Sequence, residues 1–119
     1  MGTQYRPLHI YYNNTFKDAV GIIDSGADTT IISKQLAKNL HIDLTSLKKT
    51  IETYTVTGER KILKAVIVKV EERWYDKAAT IEVGVSDDFF DPSQDGHGIH
   101  VILGVDFLQE TNYELKFST

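Results

Sequence analysis

The sequence of 119 residues predicts an all-β fold with one or two short helices. Short runs rich in β-branched residues recur along the chain, and residues that favour turns separate them. Helix-like spacing of apolar residues, three or four positions apart, is confined to brief stretches. The length and a hydrophobic content of 41% fit one domain over residues 1–119 that buries its own core.

Each element follows from such a local signal. Strands are predicted where β-branched and aromatic residues lie between turn residues, and helices where apolar residues share one helical face. The first half is predicted to form a hairpin of residues 8–12 and 16–23, then a short helix capped by Ser33 and ended by a left-handed Asn39. A long hairpin of 51–56 and 62–70, with its tip at 57–60, and a strand pair within 74–85 follow. The last part is predicted as a loop over 86–98, a strand over 100–104, a helix over 105–110 and a strand over 112–117.

Composition narrows the function classes. A net charge of −4 argues against a nucleic-acid partner, because the surfaces that bind nucleic acid are normally basic. The absence of cysteine excludes disulfides, cysteine zinc sites and thiol nucleophiles. No apolar run approaches the roughly 20 residues of a membrane span, and no secretory signal opens the sequence, so we expect no membrane partner.

An acidic turn follows the second predicted strand. Asp24, Ser25 and Gly26 come directly after two isoleucines, and Ala27 and Asp28 follow them. A buried strand that ends in such a turn holds the Asp24 carboxylate at the mouth of an apolar core, where a carboxylate can take part in chemistry. On its own this pattern also fits an ordinary strand-ending turn, with Asp28 as an acid that favours a helix start.

Three segments of the sequence together resemble retropepsins, the retroviral type of aspartic protease. They are the acidic turn at 24–28, the hairpin tip at 55–58 and the run at 102–108, which reads Ile-Leu-Gly-Val-Asp-Phe-Leu. The resemblance covers nearly the whole chain and implies a closed, antiparallel β-barrel-like retropepsin domain. Because the chain has one acidic turn and the chemistry needs two carboxylates that share a proton, it also implies a homodimer with the active site at the dimer interface.

The resemblance implies a role for each residue of the turn. Asp24 would be catalytic and would activate a water together with Asp24 of the second copy. Ser25 would form a hydrogen bond to the twin turn, and Gly26 would allow the substrate backbone to come close. Ala27 would leave room for the substrate, and Asp28 would bind its backbone amides.

The resemblance also assigns the other two segments. Val56, Thr57 and Gly58 would form the flap, a hairpin tip that closes over the substrate and excludes water. Gly104 would let the following helix pack against the catalytic turn, and Asp106 would form hydrogen bonds to nearby backbone. No metal or organic cofactor is expected, because the two carboxylates carry out all proton transfers.

The loop over 86–98 holds four aspartates, which raises the question of a calcium site. Their spacing does not match an EF-hand loop, so a solvated loop is favoured. In the retropepsin pattern this region borders the substrate pockets. Phe89 and Phe90 are therefore hypothesised to line a specificity pocket.

The sequence departs from lentiviral proteases in two places. Val105 stands where those enzymes have an arginine that pairs with the acid at the position of Asp28, and Arg6 of a second copy is the alternative partner. The hairpin tip has Gly58 as its single glycine. The predicted helix from Ser33 to Leu40 and the Leu-Gly-Val-Asp-Phe-Leu run are more similar to proteases of long-terminal-repeat retrotransposons and plant pararetroviruses, or to cellular retropepsin-like proteins.

The sequence therefore predicts an endopeptidase that cuts a polypeptide, its parent polyprotein, at extended apolar segments. Its partners would be a second copy of itself and this substrate, in the cytoplasm or within a virus-like particle. Two alternatives stay open. One is a non-catalytic dimerisation or peptide-binding module with the same fold, and the other is the protease domain of a cellular retropepsin-like protein.

Overall fold

A computed structural model of the chain describes residues 3–54, 57–87 and 98–114. Over these ranges the chain forms seven strands, two short α-helices and one 3-10 turn. They are β1 (Tyr5–Tyr12), β2 (Thr15–Ile23), β3 (Ile31–Ser33), α1 (Lys34–Asn39), the 3-10 turn (Leu44–Ser46), β4 (Thr50–Tyr54), β5 (Arg60–Glu72), β6 (Lys77–Ser86), β7 (Val101–Leu103) and α2 (Val105–Glu110).

Six of these strands form a closed barrel, in the order β1-β2-β7-β3-β6-β5. The barrel closes because β1 pairs with β5 as well as with β2, through residues 8–11 and 69–72. Most pairs are antiparallel, and β2–β7 and β3–β6 are parallel. Among the described strands β4 pairs with β5 alone, so the hairpin β4–β5 extends from the barrel. The all-β, closed-barrel prediction is confirmed.

Strands β1 and β2 form the predicted hairpin. Tyr12 pairs with Thr15, which leaves Asn13 and Asn14 as a two-residue turn. Asn13 has a φ of 53°, the left-handed conformation that asparagine tolerates better than most residues. The hairpin register directs Leu8 into the core, where it is almost fully buried.

The core fills the inside of the barrel and the space beneath the two helices. It is built from alternate residues of the strands, since successive side chains of a strand point to opposite faces. Phe107 of α2 is the largest fully buried side chain. Among the described residues, no buried side-chain nitrogen or oxygen lacks a hydrogen bond, and no helix is long and apolar enough to span a membrane.

The stretch around the first helix is partly as predicted. Ser33 caps α1, because its side chain accepts a hydrogen bond of 3.0 Å from the Leu36 N–H. The left-handed residue after the helix is His41, with a φ of 62°, so the expectation for Asn39 was wrong. Residues 31–33 form a strand that the sequence analysis did not predict, and they pair with β6 on one side and with β7 on the other.

Three further predictions differ from the structure or fall outside it. Residues 74–85 contain one strand, β6, which follows a turn at Asp76 and pairs with β5 along its length. Asn112 has a left-handed backbone, so no strand begins there; residues 115–117 lie outside the described residues. Most of the predicted acidic loop, residues 88–97, also lies outside them.

Replacement of Phe107 by alanine tests the position of the core. Phe107→Ala is expected to lower the free energy of unfolding by about 3–5 kcal/mol, because it leaves a cavity in a fully buried site. Phe16→Ala is the matched control, since Phe16 is 51% exposed and should lose about 1 kcal/mol or less. Urea unfolding measures both values. Equal losses would contradict the assignment of Phe107 to the core.

Candidate active site

Asp24 lies directly after β2, at the end of the barrel. Its backbone N–H donates a hydrogen bond of 2.9 Å to the Leu103 carbonyl, which continues the pairing of β2 with β7. Its Oδ1 accepts a hydrogen bond of 3.0 Å from the Gly26 N–H, and its carbonyl accepts one of 3.1 Å from Ala27. The side chain of Asp24 is exposed. The tight turn thus orients a carboxylate toward solvent at the end of a buried strand.

The turn is attached to the start of α2 by close backbone contacts. The Val105 N–H donates a hydrogen bond of 2.7 Å to the Ala27 carbonyl. Gly104 lies so close to the turn that a Cβ atom added to it would be 2.8 Å from the Ala27 carbonyl oxygen and 2.7 Å from the Thr29 carbonyl carbon. Real Cβ atoms essentially never approach other atoms so closely, so only glycine fits at position 104 without a shift of the backbone.

A partly buried hydrogen-bond network joins the same two segments. The Thr30 N–H donates to both carboxylate oxygens of Asp106 at 3.0 Å, and the Thr30 hydroxyl donates to Oδ1 at 2.7 Å. That hydroxyl also accepts a bond of 3.1 Å from the Gly104 N–H. Asp106 accepts a further bond of 2.7 Å from the N–H of Phe107. The network fixes α2 against the strand that follows the acidic turn.

Sequence reasoning missed Thr30 as a member of this site. Thr30 is fully buried, and its hydroxyl is the group that links Gly104 to Asp106. A signal was present, because a polar residue directly before two isoleucines at the start of a strand is expected to need a buried partner. The partner lies 76 residues further along the chain, so local pattern alone does not reveal it.

The structure brings the predicted turn residues together with the predicted signature. Ser25, Gly26 and Asp28 are exposed beside Asp24, and Ala27 is half-buried. Asp28 reaches the signature through its carbonyl, which accepts a hydrogen bond of 3.4 Å from the Asp106 N–H. The exposed side chains therefore sit on a turn whose backbone is held from beneath by α2.

The predicted flap corresponds to the tip of the hairpin β4–β5. Thr57 and Gly58 are exposed there, and Val56 lies outside the described residues. Gly58 has a φ of +84°, and nothing lies within 4 Å of the place where a Cβ would be. Glycine is thus required at position 58 by the backbone and not by crowding.

Arg6 is bound within its own chain. Its guanidinium donates hydrogen bonds of 2.9 Å to the Tyr113 hydroxyl and 2.8 Å to the Gln4 side chain, and it stacks 4.5 Å from the centre of the Trp74 ring. Burial raises the pKa of Tyr113 to about 12, so its hydroxyl stays neutral and accepts from Arg6. An ion pair with Asp28 of a second copy would have to use the remaining N–H groups of Arg6 or replace these contacts.

Two further predictions concern metal and specificity. Across the residues that the structure describes, no group of three or more metal-binding side chains lies together. Phe89 and Phe90, the hypothesised specificity residues, lie outside those residues, as do the aspartates of the loop from Asp88 onward.

The family follows from comparison with known proteins. The profile of the aspartyl protease family matches residues 9–107, which include the acidic turn, the hairpin β4–β5 and the first residues of α2. The chain belongs to this family. A comparison with curated protein sequences found no match.

Solved structures are similar to this chain over 98% of its length. EIAV protease, solved with the inhibitor HBY-793, has a TM-score of 0.61 at 17% identity over 94% of that chain. A retropepsin-like aspartic protease from Rickettsia conorii has 0.59 at 21% identity over 85% of that chain. The retroviral protease-like domain of Ddi1 from Leishmania major has 0.56 at 18% identity over 80% of that chain. The fold is that of retropepsins, as the sequence predicted.

A glycine replacement tests the contact between the turn and α2. Gly104→Ala is expected to lower the free energy of unfolding by about 1–3 kcal/mol or more, because its methyl group meets rigid backbone. Gly58→Ala is the matched control, with a cost of about 1 kcal/mol from its left-handed backbone alone. Chemical denaturation compares the two. A smaller loss at position 104 than at 58 would refute the close contact.

The hydroxyl of Thr30 can be tested by two replacements. Thr30→Val keeps the shape but leaves the Gly104 N–H without its acceptor and removes a bond to Asp106, so we expect a loss of about 2 kcal/mol or more in the free energy of unfolding. Thr30→Ser keeps the hydroxyl and should lose less. Thermal unfolding of both proteins provides the measurement. A more stable valine variant would show that the network does not hold the site.

Proposed function

We propose that this chain is a homodimeric aspartic endopeptidase of retropepsin type, whose catalytic group is Asp24. The observation that carries the proposal is the Asp24 carboxylate, exposed at the end of a buried strand and oriented by the Gly26 N–H at 3.0 Å. Membership of the aspartyl protease family supports the same reaction. No other acidic turn of this type occurs in the sequence.

A second copy of the chain supplies what one copy lacks. Peptide hydrolysis by carboxylates needs one group as base and one as acid, and each chain offers one such turn. Exposure of Asp24 and Ser25 leaves the turn accessible to its twin across a two-fold axis. Two carboxylates in contact cannot both be ionised, so the pair holds one proton and divides into acid and base.

The reaction then proceeds with water as the nucleophile. The ionised carboxylate accepts a proton from the water as its oxygen bonds to the carbonyl carbon, and the protonated carboxyl donates its proton to the carbonyl oxygen. When the tetrahedral intermediate collapses, the carboxyl that took the water's proton donates it to the amide nitrogen, the other carboxylate takes a hydroxyl proton of the intermediate, and the carbon–nitrogen bond breaks. The pair ends with one proton, as it began, so the cycle balances without another reactant.

The remaining residues of the site bind and cover the substrate. Asp28 is exposed four positions after Asp24, where it can accept hydrogen bonds from the amides of an extended peptide. Thr57 and Gly58 close over the peptide from the hairpin tip and exclude water. The substrate is a polypeptide cut at apolar segments, a parent polyprotein, and the reaction takes place in the cytoplasm or within a virus-like particle.

The rate of peptide cleavage against protein concentration tests dimeric catalysis. Specific activity is expected to rise with concentration and level off as the dimer saturates. Asp24→Asn should lower kcat by roughly 10²–10⁴-fold or more, since it removes the acid–base pair. Asp76→Asn is the matched control, because asparagine readily adopts the left-handed backbone found there.

Two outcomes would contradict the proposal. Equal activity of the Asp24→Asn variant would place the chemistry elsewhere. No cleavage of an apolar peptide library at any concentration, by a chain that sedimentation shows to be folded and dimeric, would favour a non-catalytic peptide-binding module.

The dependence of kcat/KM on pH tests the shared proton. Activity is expected to fall in alkaline solution, because ionisation of both carboxylates removes the proton that the carbonyl oxygen receives. It should also fall in strong acid, where no base is left, so the profile is bell-shaped. Sedimentation at each pH shows whether the dimer persists. A flat profile over an intact dimer would be inconsistent with the carboxylate pair.

A further inference from the structure

A groove lies on the side of the barrel, between α1, the 3-10 turn and the first residues of β5. Its volume is about 800 Å³, within the range of sites that bind small molecules or peptide segments. None of the described residues that line it belongs to the acidic turn at 24–28. We call it the lysine groove, and the residues that define it are Lys34, Lys38, Ile42, Asp43, Leu44, Thr45, Lys61, Ile62, Leu63, Lys64, Val85, Ser86 and Asp87.

The floor of the lysine groove is apolar and open. Ile62 is 58% exposed, and Leu44, Leu63 and Val85 are half-buried beside it. One wall is the extended backbone at the start of β5. This strand begins at Arg60, but its pairing with β6 begins only at Lys64. An exposed isoleucine among half-buried aliphatic side chains provides apolar contact for an extended chain.

The rim of the groove carries a local excess of positive charge. Among the lining residues that the structure describes, four lysines stand against two aspartates, whereas the whole chain has a net charge of −4. Asp43 is already engaged, since its carboxylate accepts hydrogen bonds from the hydroxyl of Thr45 at 2.7 Å and from its N–H at 3.1 Å. The bond from the Thr45 hydroxyl makes the largest contribution to lowering the pKa of Asp43, and the bond from the Thr45 N–H adds to it. Asp43 therefore stays ionised and caps the 3-10 turn.

The lysines of the rim differ in what they contact. Asp87 forms an ion pair with Lys34 at 3.6 Å, and Lys64 donates a hydrogen bond of 2.7 Å to the Leu44 carbonyl. Lys38 is exposed on the last turn of α1. Basic side chains above an apolar floor are complementary to a chain that alternates acidic and apolar residues.

We propose that the lysine groove binds an acidic, partly apolar segment of the polypeptide substrate, outside the stretch that is cut. The assignment to the substrate rests on the proposed proteolysis, whereas binding of the peptide does not. The apolar floor with the exposed Ile62 favours a polypeptide, which adds apolar contacts to the charge contacts that any polyanion would make. A second point of attachment raises the effective concentration of the scissile segment at the acidic turn.

Binding is measured first in the Asp24→Asn variant, which keeps cleavage out of the experiment. The probe is a fluorescent ten-residue peptide that alternates glutamate and leucine, and the readout is anisotropy. Addition of Lys34→Glu and Lys38→Glu is expected to weaken binding about tenfold, since two favourable charges become repulsive. Ile62→Ser should also weaken it. Lys17→Glu with Lys69→Glu is the matched control, an equal change of charge outside the groove, and should leave the affinity unchanged.

Three results would overturn the assignment. Absence of measurable binding would show that the groove does not hold the peptide, and an equal loss in the control pair would show that net charge alone is responsible. If a single-stranded oligonucleotide of matched charge bound as tightly, and with the same dependence on Lys34 and Lys38, the groove would be a general polyanion site.

Cleavage by the active chain then tests the link to the substrate. A peptide substrate extended by the glutamate–leucine segment should have a KM several-fold lower than the substrate without the extension. The double variant Lys34→Glu with Lys38→Glu should abolish this difference in KM, and it should cut the substrate without the extension at an unchanged rate. If the extension binds but leaves KM unchanged, the groove does not serve the substrate. If neither peptide is cut, the proposed proteolysis fails, and the anisotropy result still stands.

Discussion

The attachment of the acidic turn to α2 is the constraint on which the rest of the site depends. Gly104 allows the two backbones to come into contact, and hydrogen bonds between the buried Thr30 and the half-buried Asp106 join them. A carboxylate on an isolated turn would sample many orientations, since loops that make few buried contacts open easily. Here the backbone of the turn is bonded to β7 and α2 on its inner side, and the side chains of Asp24, Ser25 and Asp28 are exposed.

The barrel makes this attachment possible. Strands β2 and β7 are parallel neighbours, so both reach the same end of the barrel, and the acidic turn and α2 leave from adjacent points. Insertion of β3 on the other side of β7 brings Thr30 beneath α2. The strand order therefore places the acidic turn next to α2. The residue types at positions 30, 104 and 106 then allow the two segments to form close backbone contacts and hydrogen bonds.

Much of this arrangement could be predicted because its signals are local. Most strands, the Ser33 cap and the helix after Gly104 each depend on residues a few positions apart, and the structure contains them. The turn at Asp24 was placed correctly at the end of β2 for the same reason. What the sequence missed was decided by distant neighbours: residues 31–33 form a strand because they pair with β6 on one side and with β7 on the other.

The candidate site shows the same difference between residues with a local sequence signal and residues whose role depends on distant contacts. Sequence resemblance pointed to Asp24 and Gly104 because each belongs to a short pattern. The role of Thr30 depends on its hydrogen bond to Asp106, which lies 76 residues away in the sequence. Arg6 is a further example, since its cluster with Trp74 and Tyr113 joins three separate parts of the chain. Burial of such polar groups is a property of the assembled barrel, and no single segment contains the information.

The place of β7 has a consequence for how the protein matures during synthesis. This strand lies between β2 and β3 in the barrel, although it is the last of the described strands to leave the ribosome. Pairings between residues so far apart form slowly, because the chain must lose the entropy of closing a long loop before the stabilising contacts form. The acidic turn is translated early, yet it stays unsupported until β7 and α2 have emerged. A nascent chain thus acquires its oriented carboxylate only after β7 and α2 have been translated, when the other described strands are already available.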